Sequence, residues 1–133
     1  MTETKMKEKL KTLLPQTMFQ SIETSTGLGV PDMIYAHGNV QGWIECKKLD
    51  EKPKKNFKMP WRPGQLGWYS NYRRKYKIRC PYFVCLTIKD DWYFIDDIKE
   101  KYTMDEIRKF YFGKTKELLK HQLAIFYKLL SIG

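Results

Sequence analysis

Three kinds of residue are scarce in this 133-residue chain, and each scarcity removes a class of protein. The three cysteines, Cys46, Cys80 and Cys85, form no CxxC pair, and only His37 and His121 are present to assist them. That count and spacing disfavour both a disulfide framework and a zinc site. Long apolar runs are also missing. No stretch reaches the roughly 18 uninterrupted apolar residues of a membrane span, and the opening TETKMKEKLK is charged where a signal peptide would be apolar. The expected location is therefore cytoplasmic, or a host's cytoplasm for a viral source, with no membrane partner. Acidic residues are the third shortage, since 15 Asp plus Glu against 25 Lys plus Arg leave a net charge of +10. Such an excess usually meets a polyanion, most often nucleic acid.

What is present suffices for one folded domain spanning residues 1–133: 42% of the residues are hydrophobic and 15% aromatic, and no repeat or linker divides them. Residues 2–14 set Met6, Leu10, Leu13 and Leu14 at helical spacing and stop at Pro15. Strands are expected over 18–23, 30–36 and 40–47, the last two joined by His37-Gly38-Asn39, a hairpin turn. Residues 49–62, LDEKPKKNFKMPWR, read as a long basic loop. A helix over 65–77 follows, with Leu66, Tyr69, Tyr72 and Tyr76 recurring at three and four residues. Residues 82–88 form a continuous apolar run and hence a buried strand; 92–95 return after Asp90-Asp91. Two helices close the chain, 103–110 with Thr103 and Glu106 as a capping box, and 114–130. The order αβββαββαα points to a mixed sheet with helices against it.

The chemistry lies in GVPDMIYAHGNVQGWIECKK, residues 29–48. A hairpin symmetric about Gly38-Asn39 pairs positions that sum to 77, which sets Asp32 opposite Glu45. Their Cβ atoms would lie about 4.5–5.5 Å apart, an unfavourable pairing of like charges unless a cation sits between them. Lys47, two residues beyond Glu45, shares that face, and Cys46 points to the other. Two carboxylates and a lysine on one strand face suit metal-assisted attack on a phosphodiester: the acids hold a hard ion such as Mg²⁺, with Mn²⁺ as a substitute, and the lysine orients water or offsets developing charge. The bland reading of the same residues is a hairpin carrying ordinary surface charges.

These residues resemble the motif of the PD-(D/E)XK nuclease superfamily: Pro31-Asp32, a spacer of twelve residues, then Glu45-Cys46-Lys47. The superfamily's αβββαβ core within a restriction-endonuclease-like mixed sheet flanked by helices agrees with the order above, leaving an extra strand and helices at the C-terminus. STGLGVPD, residues 25–32, is similar to the segment before the aspartate in archaeal-type Holliday junction resolvases and VRR-Nuc domains. Gln65 and Tyr69, as QxxxY, resemble the third motif of nucleases related to RecB. The resemblance covers about residues 5–90. It implies that Asp32 and Glu45 bind metal, that the Cys46 carbonyl adds a ligand, that Lys47 is catalytic and that Gln65 supports the site. It further implies in-line attack by water, leaving a 5′-phosphate and a 3′-hydroxyl. The family's additional upstream acid has two candidates, Glu8 on the first helix, which is preferred, and Glu23.

Basic clusters flank the motif. Lys48, Lys54, Lys55, Lys58, Trp61 and Arg62 follow it, and Arg73 and Arg74 end the next helix. Runs of this kind are ordinarily solvated faces, but beside a phosphodiester-cleaving site they neutralise backbone phosphates, with Trp61 either stacking on a base or, as is commoner, serving as a packing anchor. The apolar last helix, Leu118 to Leu130, either covers the sheet or forms a homodimer, the arrangement that suits paired cuts at a junction. The expected activity is a Mg²⁺-dependent, structure-selective endodeoxyribonuclease acting on branched DNA such as Holliday junctions. The alternatives are a nuclease for another DNA structure and a non-catalytic DNA-binding protein of the same fold.

Overall fold

The computed structural model describes residues 2–22, 29–75 and 81–130, with 73–75 described by backbone alone. Helix α1 (Glu3–Leu13) starts at an N-cap, Thr2, whose hydroxyl accepts from Lys5 N, and buries Met6, Leu10 and Leu13. Strands β1 (Met18–Ser21), β2 (Met33–His37) and β3 (Val40–Leu49) follow, the last two forming the expected hairpin. Their register is Met33 to Ile44 through His37 to Val40, every pair summing to 77. Helix α2 (Gln65–Lys75) then crosses to β5 (Tyr82–Ile88), which lies parallel to β3, and β6 (Asp91–Ile95) returns antiparallel. The main sheet runs β1-β2-β3-β5-β6-β8. One parallel pair among antiparallel neighbours is what a helical crossover between β3 and β5 produces.

Two cores sandwich the sheet. On one face Met6, Leu10, Met33, Ile44, Cys46, Phe83 and Leu129 pack together under α1 and the C-terminal helix. On the other, Val84, Leu86, Ile95, Tyr102 and Ile107 pack with partly buried Trp61, Trp68 and Tyr69. Every residue of β5 is buried, which is why that run reads as unbroken hydrophobicity in sequence.

Four expectations need correction. The stretch 49–62 is not one loop, because β3 runs to Leu49 and β4 (Asn56–Lys58) pairs with β7 (Lys101–Thr103) in a separate ribbon. Strand β7 itself went unrecognised, because its three residues carry too little pattern. The penultimate helix is shorter than expected, α3 (Met104–Arg108), although Thr103 and Glu106 do form its capping box. The last segment is not one helix either. It opens as β8 (Tyr111–Lys114), continues as a 3-10 helix over Thr115–His121 and becomes α4 only over Gln122–Leu130. Strand β8 joins the edge of β6, which is a long-range hydrogen-bonding opportunity that no local periodicity announces.

Candidate active site

Asp32 stands one residue before β2, and the hairpin register carries it opposite Glu45 on β3. The two acids clasp each other through the backbone. Asp32 N donates to Glu45 Oε1 at 3.0 Å, and Cys46 N donates to Asp32 Oδ2 at 2.9 Å. Each carboxylate therefore has one oxygen used by a fixed donor, which holds its orientation. Glu45 is fully buried. Burial, and after it the negative charge of Asp32, pushes the Glu45 carboxyl up to about 7, against the lowering pull of Lys47.

Strand alternation puts Lys47 on the Glu45 face and Cys46 against the opposite core, where hydrogen bonding with the Cys85 thiol, and after it burial, raise its pKa. Lys47 is 2% exposed, unusual for a lysine, and it is fully engaged. Its Nζ donates to Gln65 Oε1 at 2.6 Å, lies 3.3 Å from Glu45 Oε2 and sits 5.5 Å from the centre of the Trp61 ring. Gln65, the first residue of α2, is the hub. Its Nε2 donates to Glu45 Oε2 at 2.5 Å, while its Oε1 also accepts from Arg62 N at 2.7 Å. One amide thus orients the acid, the lysine and the entry to its own helix.

Gly29 brings that helix to the acids. Its φ is +84°, and a Cβ there would lie 2.1 Å from Gly64 O, so the backbone before Asp32 is pressed directly onto the residue preceding Gln65. Tyr69 takes a packing role, half-buried with its ring 4.9 Å from that of Tyr82. The Tyr82 hydroxyl is buried with no hydrogen-bond partner among the described residues, and burial, then the charges of Glu45 and Asp32, raise its pKa.

Other expected residues sit differently. Glu8 is exposed on α1 and takes part in no side-chain hydrogen bond or ion pair among the described residues. The α1 residues turned toward the site are Lys7, whose Nζ lies 3.9 Å from Asp32 Oδ1, and Glu3, 4.0 Å from Arg62 Nη2. Residues four apart share a helix face and a neighbour is rotated by about 100°, so Glu3 accompanies Lys7 and Glu8 does not. Glu3 was overlooked in sequence; its spacing of three before buried Met6 was the available signal. Trp61, a packing anchor or a base-stacking residue by sequence, is partly buried, with Nε1 donating to Lys99 O at 3.0 Å and its ring against Lys47. Lys48, Lys54, Lys55, Lys58 and Arg62 are exposed. Glu23 and the side chains of Arg73 and Arg74 lie outside the described residues. His37 is no free turn residue: its Nδ1 lies 2.7 Å from Thr17 Oγ1 and its ring stacks on Phe126.

The donor set fits a hard cation. Among the described residues no group of three or more His, Cys, Asp and Glu is placed to hold an ion, and the hard donors at hand are the two carboxylates of Asp32 and Glu45. That is the kind of site Mg²⁺ takes, since it keeps several waters and completes its shell with substrate phosphate.

No protein-family model matches this chain, and no curated protein sequence matches it. Its fold is the restriction-endonuclease-like one of resolvase-type nucleases, a central mixed sheet flanked by helices. Among solved structures it is similar to Hjc of Archaeoglobus fulgidus, a Holliday junction resolvase from an archaeal hyperthermophile, with TM-score 0.59 over 84% of this chain and 92% of that one. Sequence identity is 12%, so the likeness is one of fold.

Proposed function

We propose that this protein is a divalent-metal-dependent endodeoxyribonuclease that hydrolyses phosphodiester bonds in branched DNA, including four-way junctions, in recombination or repair. The observation that carries this reading is the pairing of Asp32 with Glu45 across the hairpin while Gln65 pins a buried lysine beside them. Burying an ammonium and a carboxylate against a second carboxylate is costly, and a hydrophobic trio would serve packing better. The fold shared with a Holliday junction resolvase supports branched DNA as the substrate.

Asp32 and Glu45 are the residues that would hold Mg²⁺ or Mn²⁺, with the Cys46 carbonyl as a further oxygen and Glu3, in place of Glu8, as the added acid. Once bound, the ion would acidify a water and offset phosphate charge. Lys47, fixed by Gln65, donates to the attacking water or to charge developing on the phosphate oxygens. Lys7 balances Asp32 until DNA arrives. Arg62, exposed where its backbone N meets Gln65, draws the phosphate backbone in. Leu119, Leu123 and Tyr127, 68%, 63% and 68% exposed, recur every four residues along the C-terminal helices and would join a second copy, presenting two sites to one junction.

A cleavage panel of four-way junction, flap, linear duplex and single strand, with and without Mg²⁺, tests the reading. Junction cutting that requires the ion and vanishes in Asp32→Asn, with DNA binding kept, is the expected result. Wild-type protein that binds DNA but never cuts it with Mg²⁺ or Mn²⁺ would replace this reading with a non-catalytic one.

A further inference from the structure

The β4–β7 ribbon has an internal contradiction. Its inner side is apolar, with Phe57 and Tyr102 paired across the strands and their rings 5.7 Å apart. On its outer side Lys58 and Lys101 are directly opposed, and both are exposed. Like charges facing across an antiparallel pair destabilise it, whereas several other lysines of this chain have acidic partners: Lys48 with Asp50, Lys99 with Glu106, Lys114 with Asp91, Lys128 with Asp96. Among the described residues, neither Lys58 nor Lys101 has an acidic partner.

The same outer side ends in a cleft of about 330 Å³ lined by Lys54, Lys55, Asn56, Thr103, Asp105 and Arg108. Lys54 and Lys55 also have no ion pair among the described residues, and Asp105 is already engaged by Arg108 at 2.7 Å. Two lysines without an ion pair and the Asp105-paired Arg108 around one cleft, with two more unpaired lysines on the adjoining strand pair, make a surface of net positive charge. The surface is also rigidly tied to the candidate active site. Met59 N donates to Glu100 O at 3.0 Å, Met104 N to Lys55 O at 2.9 Å and Trp61 Nε1 to Lys99 O at 3.0 Å, so the ribbon runs without slack into the segment that ends at Gln65.

We infer that the outer side of the β4–β7 ribbon, with its cleft, is a phosphate-binding shelf for the DNA backbone flanking the cut, a surface that deepens the nuclease reading and rests on it. Lys58 and Lys101 neutralise one phosphate between them; Lys54, Lys55 and Arg108 take a second in the cleft. Three and four residues separate Lys58 from Lys55 and Lys54, at most about 10–13 Å of extended chain, the axial rise of about three to four nucleotides of one DNA strand. Seven residues join Lys58 to Gln65, so the shelf lies within about 25 Å of the acids, a reach of about seven base pairs. The bound phosphates relieve the repulsion that the ribbon carries when free.

The test replaces Lys54, Lys55, Lys58 and Lys101 together by Gln and follows binding of labelled four-way junction and duplex by fluorescence anisotropy from 0.1 to 1 M salt, in EDTA so that no cleavage intervenes. A control variant loses equal charge elsewhere, with Lys9, Lys11, Lys116 and Lys120 changed to Gln. Loss of two phosphate contacts lowers the salt slope by about 1.8, which over that decade amounts to about 60-fold weaker binding at 0.1 M. The shelf variant should show this change and melt at the wild-type temperature or above it. A slope equal to wild type, or the same loss in the control, overturns the shelf while wild-type cleavage leaves the nuclease reading standing. Wild-type protein that binds no DNA at 0.1 M salt overturns both.

Discussion

Replacing Gln65 with alanine removes three hydrogen bonds at once: from Lys47 Nζ at 2.6 Å, from Arg62 N at 2.7 Å and to Glu45 Oε2 at 2.5 Å. Two of them involve charged partners, and Gln65 is only 4% exposed, so water replaces them poorly. Hydrogen bonds to charged groups contribute about 1.5–3 kcal/mol each, and partial relaxation brings the expected net loss to roughly 2–4 kcal/mol. For a domain of this size that is about 7–14 °C in melting temperature by calorimetry. The larger effect is on rate. Lys47 keeps only Glu45 Oε2 at 3.3 Å and the Trp61 face, so both it and the acid can reorient. A misplacement of about 1 Å costs on the order of 100-fold, and single-turnover cleavage should fall by that factor while DNA affinity changes less than about threefold. A variant that melts lower as expected yet cuts within about threefold of wild type would refute the positioning role, because the lysine and acid would then hold their places without the amide. A loss of affinity equal to the loss of rate would make Gln65 a DNA contact instead.

Mg²⁺ at tenfold excess over its dissociation constant should add about 1.4 kcal/mol, near 5 °C, to wild-type protein and nothing to Asp32→Asn, as read by thermal melting; a flat wild-type response to both Mg²⁺ and Mn²⁺ would contradict the two-acid metal site. Gly29→Ala should cost roughly 2–5 kcal/mol from its positive φ and the clash with Gly64 O, and should abolish cleavage by displacing Gln65; full activity with an unchanged melting temperature would show that the contact yields easily. Glu3→Gln should reduce Mg²⁺-dependent cleavage more than Glu8→Gln does, and the reverse order would return the added acid to Glu8. Leu123→Glu, at a position 63% exposed, should leave the fold intact and convert a dimer to a monomer by light scattering; a wild-type monomer that cuts junctions fully would remove the dimer.

Much of the arrangement was legible because it is local. The two-residue turn sets one register, and with it the opposition of Asp32 and Glu45 and the shared face of Glu45 and Lys47. The run 82–88 reads as a buried strand because both its faces are covered, and Pro63 with Gln65 marks the start of α2. Less legible were elements whose partners are distant in sequence. Strands β4 and β7, of three residues each, exist because they pair across more than forty residues, and β8 exists because the edge of β6 accepts it. For Trp61 sequence leaves a base-stacking and a packing role both open, because it gives no hint that the Lys99 carbonyl would anchor the indole.

The amino-acid sequence by itself determined the hairpin, its register and the order of strand, helix and strand that carries the acids, the lysine and Gln65, since periods of 2 and 3.6 and a tight turn are properties of neighbouring residues. Only the tertiary structure decided which side of α1 meets Asp32, bringing Lys7 and Glu3 and leaving Glu8 in solvent. It alone joined Gly29 to Gly64, closed Gln65 onto Lys47 and Glu45, and gathered unpaired lysines on a ribbon. Rotation of a helix and pairing of short strands are settled by which apolar surfaces can be buried together across the whole chain, and no local window contains that information.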